Sequence, residues 1–330
     1  MLEHGGKLRE AAHRFGHPQE GWIDLSTGLN PHGYPAPSLP ADAWQRLPEV
    51  DPALAAAACL YYGAPAMLAV AGTQAAIAAL PTLRAPSRVV VASPSYAEHA
   101  YHWGLHGHAL REVPYESLAA QVDDCDVMVV CNPNNPTGFT LPPAQLRDWA
   151  ARLAERGGWL VVDEAFGDCA PQLSVAASCT APGLIVLRSI GKFFGLAGAR
   201  VGFVGAQAAL LARLEDQLGP WTISGPAQLI ARAALADHAW HTRERMRLDA
   251  DGARMRMLLA RHGIAAAGTP LFHWWQEERP EAFHHHMAER GIWVRLFSRA
   301  ARGIRIGLPA NDNEWTRLQT ALNEWSDKPC

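Results

Sequence analysis

The segment SIGKFFGLAGARVG, Ser189 to Gly202, sets one lysine, Lys192, among glycines and phenylalanines, with one arginine, Arg200, further along. A lysine after a strand is usually an ordinary surface charge. Here the apolar surroundings would desolvate the ammonium and favour a neutral amine able to attack a carbonyl. Asp163 closes the apolar run WLVVD, where a buried carboxylate is costly without a cationic partner. A protonated pyridine nitrogen is such a partner. A lysine that forms a Schiff base and an aspartate on the ring nitrogen are together what pyridoxal 5'-phosphate requires. The other groups of that cofactor also find candidates. Gly72, Thr73 and Gln74 open a helical pattern in AGTQAAIAAL, and Ser189 and Arg200 could complete a phosphate cradle. Tyr96 offers an aromatic face, and Asn135 in NPNNPTG offers a donor to the ring hydroxyl. Taken alone, NPNNPTG could be merely a tight turn. Together, and each at the end of an apolar run, these residues specify the cofactor.

The elements that must hold them follow from hydrophobic pattern. RVVVASPSY, VMVVCNPNNPTG, GWLVVDEAF, LIVLRSIGK and ARVGFVGA are apolar runs that end in polar or glycine-rich residues; most of the runs do not alternate, as strands buried on both faces do not. Helical patterns such as PPAQLRDWAARLAERG lie between some of them. This predicts an α/β fold: a three-layer αβα large domain with a mainly parallel sheet, its ligand beyond the strands' carboxyl ends. A helical stretch follows over about 207–261. The remainder mixes short strands and helices and reads as a smaller α+β domain. The expected boundaries are an N-terminal arm over 1–45, rich in proline and glycine, a cofactor-binding domain over 46–235 and a C-terminal domain over 236–330.

Composition narrows the class. With 330 residues the chain can bury a large core, and a net charge of -3 disfavours nucleic-acid and membrane-surface partners, which need concentrated basic patches. His284, His285 and His286 are adjacent in sequence and so do not converge on one ion; no metal is expected. The six cysteines form no CxxC pair and read as reduced thiols. The N-terminus has no apolar signal core and no run is long enough to span a bilayer. A cytoplasmic protein is expected. The twelve tryptophans read as packing residues.

NPNNPTG, VVDEAF and SIGKFFGLAGARVG resemble the fold-type I pyridoxal-phosphate enzymes of the aspartate aminotransferase superfamily, and the resemblance spans nearly the whole chain. It implies a homodimer with shared active sites, in which Tyr61 of LYYG reaches the neighbouring subunit's cofactor phosphate. It also implies that Arg305 in GIRIGLP holds a substrate anion, with Arg295 in WVRLF as a second such group. Within the superfamily the chain is more similar to the branch that decarboxylates O-phospho-L-threonine than to histidinol-phosphate aminotransferases. EHGGKLREAAHRFG followed by WIDLSTGLNPHGYP resembles that branch's opening, in which His4 would bind phosphate and Gly28 would meet substrate. Many aminotransferases of the group place tyrosine where Phe166 stands, and phenylalanine has no hydroxyl for the cofactor ring. Lys7 stands where that branch is expected to carry asparagine. The implied reaction gives (R)-1-aminopropan-2-yl phosphate and CO2 for cobalamin synthesis. Transamination is the alternative, and a non-catalytic binding protein is a second one that the intact lysine and aspartate disfavour.

Overall fold

A computed structural model of the chain describes residues 4–18, 21–299 and 301–326. The chain divides into two compact units. The larger takes 33–135 and 139–242, and the smaller takes the described residues within 1–32, 136–138 and 243–330.

The apolar runs of the larger unit build a seven-stranded sheet. In spatial order its strands are Leu68–Val70, Gly202–Gly205, Leu184–Ser189, Trp159–Asp163, Val127–Cys131, Arg88–Ala92 and Ala109–Val113. All run parallel except Gly202–Gly205, which is antiparallel to both neighbours. Every residue of Val127–Cys131 and Leu184–Ser189 is buried, which explains the unbroken apolar pattern. Helices cover the sheet because parallel neighbours need crossovers. Pro143–Ala154, for example, begins on a proline and buries Leu146, Trp149, Ala150 and Leu153. Val89, Val91, Val127, Val129, Val161, Ile185 and Leu187 form one apolar cluster with Ile77, Trp103 and Leu214.

In the smaller unit a four-stranded antiparallel sheet runs in the order Arg295–Phe297, Gly303–Ile306, Phe272–Trp275, Ala267–Thr269. A short parallel pair joins Ile23–Asp24 to Ile292–Trp293. Helices Pro280–Ala288 and Asp312–Ser326 complete it. The N-terminal segment, expected as an extended arm with loops, also contains the helix Leu8–Phe15. Its Ala11 packs with Trp22 and Ala288, so tertiary burial secures a helix that composition did not announce. Lys7 precedes that helix and pairs with Glu10 at 3.4 Å. No described helix is long and apolar enough to cross a membrane. Cys59, Cys125, Cys131, Cys169 and Cys179 are unbridged, and Cys330 lies outside the described residues.

Candidate active site

Side chains alternate between the faces of a strand. Val127 and Val129, Val161, and Ile185 and Leu187 point into one cluster, so Cys131, Asp163 and Ser189 continue onto that face as their strands end. Cys131 and Asp163 are register partners on adjacent strands. All three line a cavity of ≈ 140 Å³. Lys192, Asn135 and Phe166 follow these strands and line it too, and Tyr96 enters from the loop after Arg88–Ala92. Gly72, Thr73, Gln74 and Arg200 close another part of its wall. The ten residues that sequence assigned to the cofactor thus converge, apart from Tyr61.

Asp163 has a cationic partner within the protein, where the sequence pointed only to the cofactor's ring nitrogen. Its Oδ2 lies 2.9 Å from His99 Nε2, and its Oδ1 accepts from the Ala165 N–H at 2.9 Å. Both side chains of the pair are buried. Burial opposes charge on His99, but hydrogen bonds to Asp163 and Cys131 raise its pKa to about 10. An imidazolium therefore compensates the carboxylate from one side, and the cavity lies on another.

Lys192 Nζ sits 5.0 Å from the centre of the Phe166 ring, within cation–π range. The Ser189 hydroxyl accepts from the Gly191 N–H at 3.1 Å. Arg200 has φ 55° and ψ 50°, a left-handed conformation uncommon for a residue with a side chain. Its guanidinium packs against Gly72: a Cβ added at Gly72 would lie 2.8 Å from an Arg200 Nη. Gly72 itself has φ 73°, and this left-handed backbone is what excludes other residues there, since the end of the Arg200 side chain could shift.

Behind Tyr96 runs a hydrogen-bonded chain. The Tyr96 hydroxyl donates to Gln74 Oε1 at 3.2 Å, and Gln74 Nε2 donates to Glu98 Oε2 at 2.7 Å. His102 Nε2 meets the same Glu98 oxygen at 3.2 Å. Burial, with Glu98 and Asp163 nearby, raises the Tyr96 pKa well above its usual value and keeps the phenol protonated. In NPNNPTG the three asparagines differ in their surroundings. Asn132 bonds the Leu141 backbone, Asn134 donates to the Pro94 carbonyl at 2.9 Å, and Asn135 lines the cavity.

Tyr61 is not in the wall of its own chain's cavity. It packs against Tyr62, Phe194 and His241 at centroid distances of 4.8, 5.4 and 4.6 Å. His4, Gly28, Arg295 and Arg305 belong to the smaller unit. There His4 is exposed, Gly28 has φ 62°, and the next glycine after Gly5, Gly6, donates its N–H to Ser26 Oγ at 2.8 Å. Arg295 and Arg305 are directly opposite on paired antiparallel strands. Arg305 is buried and donates to the Ser26 carbonyl at 2.5 Å. Burial, then the Arg295 charge, lower its pKa to about 9, against the pull of Asp24. Two like charges face to face are destabilising unless an anion joins them. His284, His285 and His286 go to separate partners: the Trp293 ring, Glu289, and the Ala321 carbonyl.

The cavity's donor set suits pyridoxal phosphate. It combines an amine, a carboxylate, an amide, an aromatic ring, and a hydroxyl and guanidinium beside a helix start.

The aminotransferase class I and II family model matches residues 41–322. The chain belongs to that family. Among curated relatives of this class I and II aminotransferase-family chain, a threonine-phosphate decarboxylase of Pseudomonas aeruginosa is 52% identical, over 98% of this chain and 97% of that one. A threonine-phosphate decarboxylase of Sinorhizobium sp is 42% identical, with 97% of each chain covered. The fold is that of a histidinol-phosphate aminotransferase from Sinorhizobium meliloti solved with pyridoxal-5'-phosphate, at TM-score 0.81 and 23% identity, over 98% of this chain and 95% of that one.

Proposed function

We propose that this chain is a pyridoxal-phosphate-dependent decarboxylase of O-phospho-L-threonine, yielding (R)-1-aminopropan-2-yl phosphate and CO2 for cobalamin synthesis. The observation that carries this reading is one cavity lined by Lys192, Asp163, Asn135, Ser189 and Arg200, in a chain alike over nearly its full length to two threonine-phosphate decarboxylases. When bound, the cofactor supplies an electron sink for charge that develops at the substrate α-carbon. Lys192 would provide the amine that anchors the cofactor aldehyde and a proton carrier for the α-carbon. Asp163, set by His99 and Ala165, would hold the ring nitrogen protonated. Ser189, Thr73 and Arg200 would bind the cofactor phosphate, with Tyr96 as the aromatic face for the ring and Asn135 as the donor to its hydroxyl. Arg305 and Arg295, opposed across their strands, bind the substrate anion together with His4 and Gly28 of the N-terminal segment. Fixing that anion orients the substrate so that the bond to the carboxylate, not to the α-hydrogen, is the one that breaks.

The active form is a cytoplasmic homodimer. Trp44, Leu47, Val50 and Leu60, 68–78% exposed, support this, because they leave an apolar surface for a second copy. Tyr61 neighbours Leu60 on the helix Pro52–Tyr62 and reaches the partner's cofactor phosphate.

The test is to supply O-phospho-L-threonine to the cofactor-loaded protein with and without 2-oxoglutarate. Release of CO2 that needs no oxo acid is expected. Amino transfer to 2-oxoglutarate without CO2 release would overturn the decarboxylase reading.

A further inference from the structure

His99, Cys131 and Asp163 offer one nitrogen, one sulfur and one oxygen, and these atoms all lie within 4.8 Å of one another. All three side chains are buried. Their supports are rigid. Cys131 and Asp163 are register partners on parallel strands, and His99 stands on the helix Ala97–Leu105. A surrounding layer orients the ligands as well. The Tyr115 hydroxyl donates to the Cys131 carbonyl at 2.8 Å, and the Ala165 N–H occupies Asp163 Oδ1, leaving Oδ2 turned to His99. Cys131 and Asp163 also line the cavity, which gives access and an open side.

We propose that the protein without its cofactor binds a thiophilic divalent cation, zinc first among them, through His99 Nε2, Cys131 Sγ and Asp163 Oδ2, and that this cation and the cofactor exclude each other. One imidazole, one thiolate and one carboxylate suit zinc and not magnesium or calcium, which prefer oxygen alone. Zinc bonds of about 2.0–2.3 Å in a tetrahedron put ligand atoms roughly 3.3–3.8 Å apart. The His99–Asp163 contact at 2.9 Å must open slightly, and the remaining separations need only close within 4.8 Å. Three protein ligands and one position open to the cavity match zinc sites that keep a water. Binding is not redox. The thiol proton and the imidazolium proton leave to solvent, and their lone pairs go to the metal. Exclusion rests on the reading that Asp163 holds the cofactor ring, since one carboxylate oxygen cannot serve both. The metal site itself does not rest on it.

The test titrates cobalt(II) and zinc(II) into cofactor-free protein. Cobalt should give a near-ultraviolet thiolate-to-metal band that zinc abolishes. C131S should lose the band and weaken zinc binding at least about tenfold, and H99Q should weaken it comparably. No band, or a band and affinity that C131S leaves unchanged, overturns the site. Should C131S fail to fold, X-ray absorption of the zinc-loaded wild type decides: one sulfur at about 2.3 Å supports the site, and an all-nitrogen and oxygen shell overturns it. Protein loaded with pyridoxal phosphate beforehand should show no cobalt band, and an undiminished band overturns exclusion. If pyridoxal phosphate alone produces no visible absorbance, the cofactor reading fails while the cobalt result still stands.

Discussion

At the scale of single residues, the cavity depends most on Lys192. Lys192→Ala should abolish the visible absorbance of bound cofactor and cut turnover by about 10³-fold or more. Absorbance and turnover that survive would place the anchoring amine elsewhere. His99 comes next, because it is buried beside Asp163 at 2.9 Å. His99→Leu leaves that carboxylate buried and uncompensated. Unfolding in urea should show a loss on the order of 3–5 kcal/mol, and an unchanged midpoint would mean that the pair contributes nothing. Lys192, Asp163 and Arg200 were legible in the sequence because a charge inside an apolar or glycine-rich run is conspicuous. His99, and Glu98 and His102 behind Gln74, were not. They occur among the ordinary polar residues of AEHAYHW and become a network only when a helix turn brings residues three and four apart onto one face. A strand-end cavity that wants a second layer, and a histidine three residues after its aromatic, were the only available signal.

At the scale of elements, the apolar runs gave away the parallel strands and their carboxyl ends. They could not reveal that Gly202–Gly205 runs antiparallel, because burial on both faces erases the alternation and carries no direction. That strand meets the helix Thr73–Ala79 closely. A Cβ on Gly202 would lie 2.6 Å from the Thr73 nitrogen and 3.0 Å from the Arg188 carbonyl. Gly202→Ala should therefore push the helix start outward. A stability loss of about 1–3 kcal/mol and weaker retention of pyridoxal phosphate on dialysis are expected. A variant that is destabilised but holds cofactor as tightly as the wild type would separate the helix start from phosphate binding. The smaller unit's strands were visible as short runs, whereas Leu8–Phe15 was obscured by a polar, glycine-flanked sequence whose burial comes from partners remote in the chain.

At the scale of the whole molecule, three histidines shape stability against pH. The His99 pKa is raised from 6.5 to about 10 in the folded protein, so its contribution is complete below pH 6.5 and is lost as pH climbs to 10. His273 and His284 are lowered from 6.5 to about 4, chiefly by burial, with Arg256 acting on the first and Arg14 on the second. Their contribution is complete above pH 6.5 and is lost as pH falls to 4. The histidine contribution thus peaks near pH 6.5. Melting temperature measured across pH should show His99→Leu flattening the alkaline limb and His273→Leu flattening the acid one. A wild-type limb retained in either variant would remove that histidine from the account. The exposed Leu60 makes a second expectation: Leu60→Arg should sediment as monomer where the wild type sediments as dimer, and a dimeric variant would move the interface elsewhere. The reversed strand has one more consequence. Because it turns back along the sheet, the connection from Ser189 to Gly202 begins and ends at the same edge, with Lys192 early in it and Arg200 near its close. The connection works as a ruler, its contour matched to the distance between the two groups it must deliver. Residues along it other than Lys192 and Arg200 can change identity under selection, but its length cannot, so insertions and deletions should be among the rarest tolerated changes in any mutational library of this segment.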